Sequence, residues 1–249
     1  MVKEKYKPQA IITGAGSGIG RATALGFKAK GYSVCCLDIN INEAEKTLTK
    51  IENDGLAMQL DITNAHDVEK ICNELIKSFN NATVLVNSAG ISPNPQPVHL
   101  YEIEEWKKVI DINLTGTFYL MKFLIPTLLN NTPSSIVNIS SAMGVVANPT
   151  TSGYSASKHG IVGLTKAAAL DYANQGLRVN CIGPGVVETN MSKEILADPD
   201  TKALLTNQTP VGRFAQAEEI AELILFLCSK KAAFITGSFI PIDGGYTAV

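Results

Sequence analysis

Long apolar runs and clustered basic charge are both missing from this sequence. Apolar stretches such as LILFL are far too short to span a bilayer. The N-terminal stretch MVKEKYKPQA carries lysines but lacks the apolar segment of a secretion signal. Basic residues form no block, and the formal net charge is −2, so neither nucleic acid nor an anionic membrane is expected as a partner. These absences predict a cytoplasmic protein.

Cysteine patterns that build disulfide frameworks or metal sites are also missing. The chain has 5 cysteines, an odd number, and no CxxC pair. It contains no HExxH motif and no Cys/His cluster, so no metal site is expected. Such cysteine usage is typical of buried thiols in a reducing compartment.

Strand and helix patterns alternate along the whole chain. Apolar strand patterns occur at QAIIT, YSVCCLD, GLAMQLD, ATVLVN, SSIVNISS, LRVNCIGPG and SFIPIDGG, with helical patterns between them, including long ones around 101–130 and 154–175. This alternation implies right-handed crossovers and a parallel sheet with helices on both faces. We predict one α/β domain over residues 1–249, a doubly wound parallel sheet of about seven strands.

Ligands of such a sheet bind beyond the carboxyl ends of its strands. The first loop there is TGAGSGIG, Thr13 to Gly20, with glycines at 14, 18 and 20. Glycines let the backbone approach a pyrophosphate, whose charge the following helix N-terminus favours. The loop follows a strand and opens a helix, which is the context that a dinucleotide site requires. A tight turn without a ligand is the alternative.

Two acidic residues end the next two strands. A carboxylate at Asp38 can accept hydrogen bonds from ribose hydroxyls and repel a 2′-phosphate. Ser17 in the loop and Ile39 after Asp38 bring no basic side chain, which favours NAD over NADP. Asp38 could instead cap the turn into the next helix. Asp61 could similarly reach the adenine or cap its own turn.

The stretch YSASK places Tyr154 and Lys158 four residues apart. In a helix such residues share one face. A free phenol has a pKa of about 10, and a neighbouring ammonium is expected to lower the pKa of Tyr154. The tyrosine could then exchange a proton with an alcohol or carbonyl oxygen. The alternative is a surface pair without a function.

These motifs and several others stand in register along nearly the whole chain. They comprise TGAGSGIG, Asp38, LDIT, NSAG, DINLTG, NISS, YSASK, RVNCIGPG with Thr189, and the terminal DGG. The chain resembles the short-chain dehydrogenase/reductase family, which implies a Rossmann fold and NAD(H)-dependent interconversion of a secondary alcohol and a ketone.

The resemblance also implies residue roles. Tyr154 matches the catalytic acid/base, and Lys158 matches the lysine that lowers the tyrosine pKa and holds the nicotinamide ribose. Ser141, thirteen residues before Tyr154, matches the serine that binds the reacting oxygen, in preference to Ser140. Asn113 matches an asparagine that holds a water in a proton relay, with a structural hydrogen-bonding role as the alternative.

Cofactor-binding positions follow from the loops and the resemblance together. Val187 would bind the carboxamide through its backbone, and Ser88 replaces the asparagine usual in NNAG. The complete set expected to bind NAD is Gly14, Ser17, Gly18, Ile19, Gly20, Asp38, Asp61, Ile62, Asn87, Ala89, Gly90, Tyr154, Lys158, Pro184, Gly185, Val187 and Thr189.

The substrate is the least determined feature. Candidate pocket segments are 143–148, 93–97, Val186 and 190–213, and the last is expected to be a lid. Their mostly apolar character favours a neutral alcohol or ketone. Alternatives are a 3-oxoacyl-[acyl-carrier-protein] reductase, and a non-catalytic cofactor-binding protein, which would not need the full catalytic set. The resemblance also implies a homotetramer.

Overall fold

The computed structural model describes residues 7–248, so Val249 and residues 1–6 of the N-terminal stretch lie outside it. Seven strands form one parallel sheet in the order β3-β2-β1-β4-β5-β6-β7. They are β1 Gln9–Thr13, β2 Ser33–Asp38, β3 Gly55–Gln59, β4 Ala82–Asn87, β5 Ser134–Ile139, β6 Leu177–Pro184 and β7 Phe239–Ile242. The predicted doubly wound parallel sheet is confirmed.

Helices connect the strands and cover both faces of the sheet. They are α1 Gly18–Ala29, α2 Ile41–Lys50, α3 Ala65–Ser78, α4 Ile103–Ile110, α5 Gly116–Asn130, α6 Ser152–Tyr172, α7 Lys193–Ala197, α8 Pro199–Asn207 and α9 Ala217–Cys228. Short polar side chains begin several of them. Asn40 accepts from the backbone N–H of Glu43, and Asn64 accepts from those of His66 and Asp67; such caps satisfy helix donors that have no partner within the helix.

The helical pattern at 101–130 is interrupted in the structure. Residues Asp111–Thr115 between α4 and α5 form a π-helical turn. A π turn accommodates one extra residue in a helix and often lies at a functional site. Asn113, a predicted catalytic residue, lies in the middle of this turn.

Apolar residues of the strands alternate between two cores. In β1, Ile11 belongs to the core under α3 and α5, and Ile12 to the core under α1 and α9. Cys35 and Cys36 of β2 divide in the same way. The strands read as continuous apolar runs because each face packs against helices. Cys228 is half-buried, whereas the other four cysteines are buried as expected.

One helical segment, Ile103–Asn130, is apolar and long enough to cross a membrane by length and composition alone. Half of its most apolar window is buried inside the protein. In α5, Leu120, Leu124 and Leu128 are fully buried against the sheet. The segment therefore has the character of a core helix, since such helices can be equally long and apolar.

The sheet order changes direction between β1 and β4. From β1 the chain runs outward to β2 and β3 and then returns to pair β4 on the other side of β1. This is the switch point at which a doubly wound sheet opens a crevice at its carboxyl edge. The loops after β1, β4, β5 and β6 all meet there.

Candidate active site

The turn after β1 requires glycine for steric reasons. Gly14 and Gly18 have φ of +63° and +47°, conformations that other residues rarely adopt. A Cβ on Gly20 would lie 2.1 Å from the Gly14 carbonyl oxygen. A Cβ on Gly14 would lie 3.0 Å from the Ala89 backbone. The turn thus exposes bare backbone at the N-terminus of α1, as a pyrophosphate site requires.

Asp38 holds this turn in place. Its carboxylate accepts the N–H of Gly16 at 2.8 Å and that of Asn40 at 2.9 Å. Asn40, rather than Asp38, caps α2. Each carboxylate oxygen keeps a further lone pair, and Asp38 lines the main cavity. It can therefore still accept hydroxyl groups of a ligand.

A basic side chain does lie beside the glycine turn, which sequence reasoning missed. Arg21, in the first turn of α1, donates to the Gly16 carbonyl and contacts the Glu43 carboxylate at 2.7 Å. Its Nε also donates to the Thr47 hydroxyl at 3.0 Å. The guanidinium is therefore paired within the protein. The sequence did contain a signal for this, because Arg21 lies three residues after Gly18 and therefore in the first turn of the helix that follows the glycine loop.

On the other side of Asp38, Asp61 and Ile62 line the same cavity. Asp61 Oδ1 accepts both the N–H and the hydroxyl of Thr63, at 2.9 and 2.8 Å. Asn64 provides the helix cap. Asp61 thus stabilises its own turn and also faces the cavity, so both sequence-based alternatives describe part of its environment.

The turn after β4 divides its residues between the cavity and the sheet. Ser88, Ala89 and Gly90 line the cavity. Asn87 does not; it is buried and donates to Asn138 Oδ1 on β5 at 2.8 Å. Its interpretation as a residue beside the adenosine ribose is therefore not supported by its position, because its side chain bonds across the sheet instead.

Tyr154 and Lys158 share the cavity face of α6, one turn apart. The Lys158 Nζ lies 5.6 Å from the Tyr154 ring centroid. It donates to the carbonyl of Ile139, at the end of β5, at 3.0 Å. Lys158 is 5% exposed, so its ammonium is held at a fixed position beside the phenol.

The expected lowering of the tyrosine pKa is not what the structure shows. Burial raises the pKa of Tyr154, because a phenolate loses its hydration there, and the Ser141 hydroxyl acts in the opposite direction. Burial also lowers the pKa of Lys158 to about 8. Desolvation is the larger effect on the Tyr154 pKa, and the sequence-based argument had not counted it.

Two adjacent serines follow β5 with different tasks. Ser141 lines the cavity, and its Oγ accepts the N–H of Met143 at 3.2 Å. Ser140 is buried and donates to the Lys158 carbonyl at 2.9 Å. Ser140 therefore ties β5 to α6, and Ser141 is the serine that faces the phenol, as its spacing predicts.

Asn113 lies behind the cavity wall. Its Oδ1 accepts the Ile91 N–H at 2.8 Å, and its Nδ2 donates to the Ile91 carbonyl at 3.0 Å. It also contacts the Ser157 hydroxyl at 3.2 Å. The amide therefore has the structural hydrogen bonds of the alternative interpretation, and it connects the loop after β4 to the catalytic helix.

The segment after β6 forms the opposite wall. Pro184, Gly185, Val187 and Thr189 all line the cavity. The bridge to Ala215 uses the Val186 carbonyl and the Glu188 N–H. The Val187 N–H is outside this bridge and remains available for a carboxamide. Thr189 lies over the glycine turn, where a Cβ on Gly18 would approach its Cγ2 to 3.1 Å.

These elements enclose one cavity of about 610 Å³. It runs from the glycine turn and Asp38 to Tyr154 and Lys158, so the predicted cofactor and catalytic residues meet in one space, except for Asn87 and Asn113, which do not line it. The glycine cradle and the Val187 N–H fit a dinucleotide with a carboxamide ring. Among the described residues, the charged ones that line it are Asp38, Asp61 and Lys158.

The end of the cavity away from the glycine turn contains some of the residues expected to line the substrate pocket. Met143, Asn148 and Val186 line it, and α7 and α8 contribute apolar side chains such as Ile195 and Leu205. The lining does not include 93–97. It does include Tyr246, which sequence reasoning missed. The Tyr246 hydroxyl reaches residue 148 from the C-terminal turn.

Comparisons with known proteins agree with this geometry. Residues 14–247 match the family model described as enoyl-(acyl carrier protein) reductase. Cyclohexanol dehydrogenase of Acinetobacter sp. (strain SE19) is 38% identical over 96% of this chain and 94% of its own. The 3-oxoacyl-[acyl-carrier-protein] reductase FabG of Thermotoga maritima is also 38% identical, over 94% and 96%.

A solved structure shows the same likeness. It comes from Beutenbergia cavernae and is described as an NAD(P)-dependent gluconate 5-dehydrogenase with NADP bound at low occupancy. It superposes with a TM-score of 0.92 at 30% identity and covers 97% of each chain. The matched family model, these identities and the Tyr154–Lys158 site together mean that the chain belongs to the short-chain dehydrogenase/reductase family of nicotinamide-dependent oxidoreductases.

Proposed function

We propose that this protein is an NAD(H)-dependent oxidoreductase that interconverts a secondary alcohol and a ketone, with Tyr154 as the acid/base. The observation that carries the proposal is the convergence of Ser141, Tyr154 and Lys158 on the cavity that the glycine turn also lines. A proton-transfer group and a dinucleotide cradle in one enclosed space are what hydride transfer to or from a carbon–oxygen bond requires.

The residues divide the work as follows. When bound, the nicotinamide accepts or returns the hydride. In the oxidative direction, the Tyr154 phenolate takes the alcohol proton, and Ser141 donates a hydrogen bond that orients the substrate oxygen. The Lys158 ammonium stabilises the phenolate. Asn113, bonded to Ile91 and Ser157, keeps the wall behind them in place and belongs to the proposed route of proton return.

The cofactor selectivity that we propose is NAD over NADP. Asp38 lines the cavity at the end of β2, where its charge repels a 2′-phosphate. Arg21, the arginine found beside the turn, is paired with Glu43 at 2.7 Å and so offers little to a phosphate. Neither observation removes NADP binding altogether, so the proposal concerns relative affinity.

The substrate class that we propose is a neutral, compact alcohol or ketone. The far end of the cavity includes the apolar side chains of Met143, Met191 and Leu205, with uncharged polar residues such as Asn148 and Thr201 in the same lining. Segment 190–213 is proposed as the lid. Its lysines, Lys193 and Lys202, line a separate groove behind the glycine turn, and Arg213 is paired with Glu219 at 2.7 Å.

Initial rates of nicotinamide reduction test the proposal. NAD and NADP are compared over neutral cyclic alcohols, hydroxy acids and 3-hydroxyacyl thioesters. Turnover of neutral alcohols with a preference for NAD is the expected result. Turnover confined to thioesters with NADP would instead support a 3-oxoacyl-[acyl-carrier-protein] reductase. NADH binding without any turnover would indicate a non-catalytic protein.

A 3-oxoacyl-[acyl-carrier-protein] reductase is the second candidate. The relative from Thermotoga maritima favours it, since it is as similar as the cyclohexanol dehydrogenase. The groove beside the glycine turn, which Lys50, Lys193 and Lys202 line together with Glu188 and Glu218, offers three lysines to an acidic carrier. The far end of the main cavity, where the described residues bring apolar and uncharged polar side chains, favours the first candidate.

We also propose that the protein assembles as a homotetramer through its long helices. Phe118 on α5 and Leu170 on α6 are 45% and 83% exposed, and large exposed apolar side chains on helices often mark interfaces. Light scattering at micromolar concentration decides the point, and a monomer there would contradict it.

A further inference from the structure

The far end of the cavity contains a hydrogen bond that the proposed reaction does not use. The Tyr246 hydroxyl donates to Asn148 Oδ1 at 2.7 Å, across 98 positions of sequence. Both residues line the cavity. Two polar side chains joined to each other in this wall need a reason, because apolar residues would fill the same space without loss.

Tyr246 is held firmly by the turn before it. Asp243, only 8% exposed, accepts the N–H of Gly245 at 3.0 Å and the N–H and hydroxyl of Thr247 at 3.0 and 2.6 Å. A Cβ on Gly185, in the wall after β6, would lie 2.9 Å from the Asp243 Cα. The phenol is therefore positioned by a buried carboxylate rather than by a loose chain end.

Asn148 is held from the catalytic helix. Its carbonyl accepts the Thr151 hydroxyl at 2.8 Å. The Thr151 hydroxyl is in turn 2.8 Å from the Ser155 hydroxyl, next to Tyr154 on α6. The position of the Asn148 side chain is thus linked to the first turn of the helix that carries the catalytic phenol.

The pairing decides which part of the amide remains free. Because Oδ1 accepts from Tyr246, the amide NH₂ is left as the outward group, and within residues 7–248 no side chain or carbonyl accepts from it. An NH₂ group without an acceptor in a cavity wall that also includes Met143, Met191 and Leu205 gains most from an oxygen that a ligand brings. The two polar residues thus present a donor to the substrate end.

We propose that Asn148 is a specificity-determining residue that donates a hydrogen bond to a second oxygen of the substrate, and that Tyr246 is the positioning residue that fixes its amide. The substrate class is then a neutral cyclic ketone or alcohol with a further carbonyl or hydroxyl group away from the reacting carbon. This inference rests on the proposed function and deepens it.

A pair of ketones tests it directly. Cyclohexane-1,4-dione carries a second oxygen that only accepts, and 4-methylidenecyclohexanone has the same shape without that oxygen. The readout is the ratio of kcat/KM for the dione to kcat/KM for the methylidene compound, from NADH oxidation. Comparing this ratio between proteins cancels both the intrinsic reactivity of the ketones and any general loss of activity.

Four variants are compared with the wild type. Asn148→Leu and Asn148→Asp, which both remove the donor while Asp keeps an acceptor for Tyr246, lower the ratio about tenfold, as the loss of a specific hydrogen bond implies. Tyr246→Phe keeps the ring and lowers the ratio about threefold. Tyr172→Phe, the same change at the end of α6 away from the cavity, leaves it unaltered.

Each outcome decides something. An unchanged ratio in both Asn148 variants overturns the inference and leaves the proposed function standing. If the wild type reduces neither ketone with either cofactor, the proposed function fails and the inference with it. Should the Asn148 variants not fold, Tyr246→Phe decides alone, since an unchanged ratio there overturns the role of the pair.

Discussion

The two ends of the cavity are built in opposite ways. The cofactor end is mostly backbone, formed by Gly14, Gly18 and Gly20 with Asp38 holding the turn. The substrate end takes its lining from the loop after β5, the segment 190–213 and the C-terminal turn, and its character depends on their side chains. Backbone surfaces depend on a few steric conditions, whereas side-chain surfaces change freely. One end therefore serves a whole family, and the other identifies the individual member.

The largest expected effect is at the junction of the two ends. Tyr154→Phe removes the proton-transfer group, and kcat is expected to fall by roughly 10²- to 10⁴-fold, the usual contribution of general acid–base catalysis. NADH affinity, measured by fluorescence, should stay close to that of the wild type. A variant that retains more than about a tenth of wild-type kcat would assign the acid/base role elsewhere.

At the cofactor end, Gly20→Ala should be severe, because the new Cβ would meet the Gly14 carbonyl 2.1 Å away. We expect the free energy of unfolding to fall by about 2–4 kcal/mol and NADH binding to weaken with it. Urea titration and fluorescence measure both. Gly163→Ala in α6 is the matched control, since its Cβ meets nothing within 4 Å and should stabilise the helix by about 0.5–1 kcal/mol. Equal effects of the two changes would contradict the steric account.

Cofactor selectivity is expected to change at Asp38 but not at Asp61. Asp38→Ala removes the charge that opposes a 2′-phosphate and should raise the NADP-to-NAD ratio of kcat/KM by about tenfold or more. Asp61→Ala, also in the cavity lining, should weaken both cofactors alike. If the two variants shift the ratio equally, the ribose site has been misplaced.

The smallest effect concerns stability and its dependence on pH. Burial lowers the pKa of Lys158 to about 8, so the unfolded chain binds this proton more tightly than the native protein does. The wild type should therefore gain stability as pH rises from about 8 to about 10.5. Lys158→Met should be more stable than the wild type at pH 7, by about 1–2 kcal/mol, while losing activity.

Urea unfolding at pH 7 and pH 9.5 measures that difference. It should be larger at the lower pH and shrink as the lysine loses its charge. A Lys158→Met protein that is less stable at pH 7 would mean that the hydrogen bond to the Ile139 carbonyl outweighs the cost of burying the ammonium.

The sequence predicted the cofactor end far better than the substrate end. Glycine spacing, an acidic residue closing β2 and the four-residue step from Tyr154 to Lys158 are local patterns, and the general rules of doubly wound sheets place such loops at the carboxyl ends of the strands. The predicted direction of the Tyr154 pKa shift was wrong, because the shift depends on burial. Burial is a property of the packed protein that a four-residue pattern does not contain.

Residues joined over long sequence distances were not predicted. Tyr246 and Asn148 meet across 98 positions, and no periodicity connects them. Asn87 was assigned to the cavity by its motif, but its side chain bonds to Asn138 across the sheet. The long helical segment expected around 101–130 contains a π-helical turn, and the Asn113 side chain within it bonds to Ile91 in a neighbouring loop.

That π-helical turn makes the length of the helix part of the active site. Replacing a side chain between Asp111 and Thr115 changes only the contacts of that side chain, but removing one residue there would restore an ordinary α-helix. Everything on one side would then rotate by about 100° relative to the other, and Asn113 would swing away from Ile91. Single-residue deletions or insertions in this segment would therefore displace the α4 side relative to α6, a larger change than the replacement of one side chain.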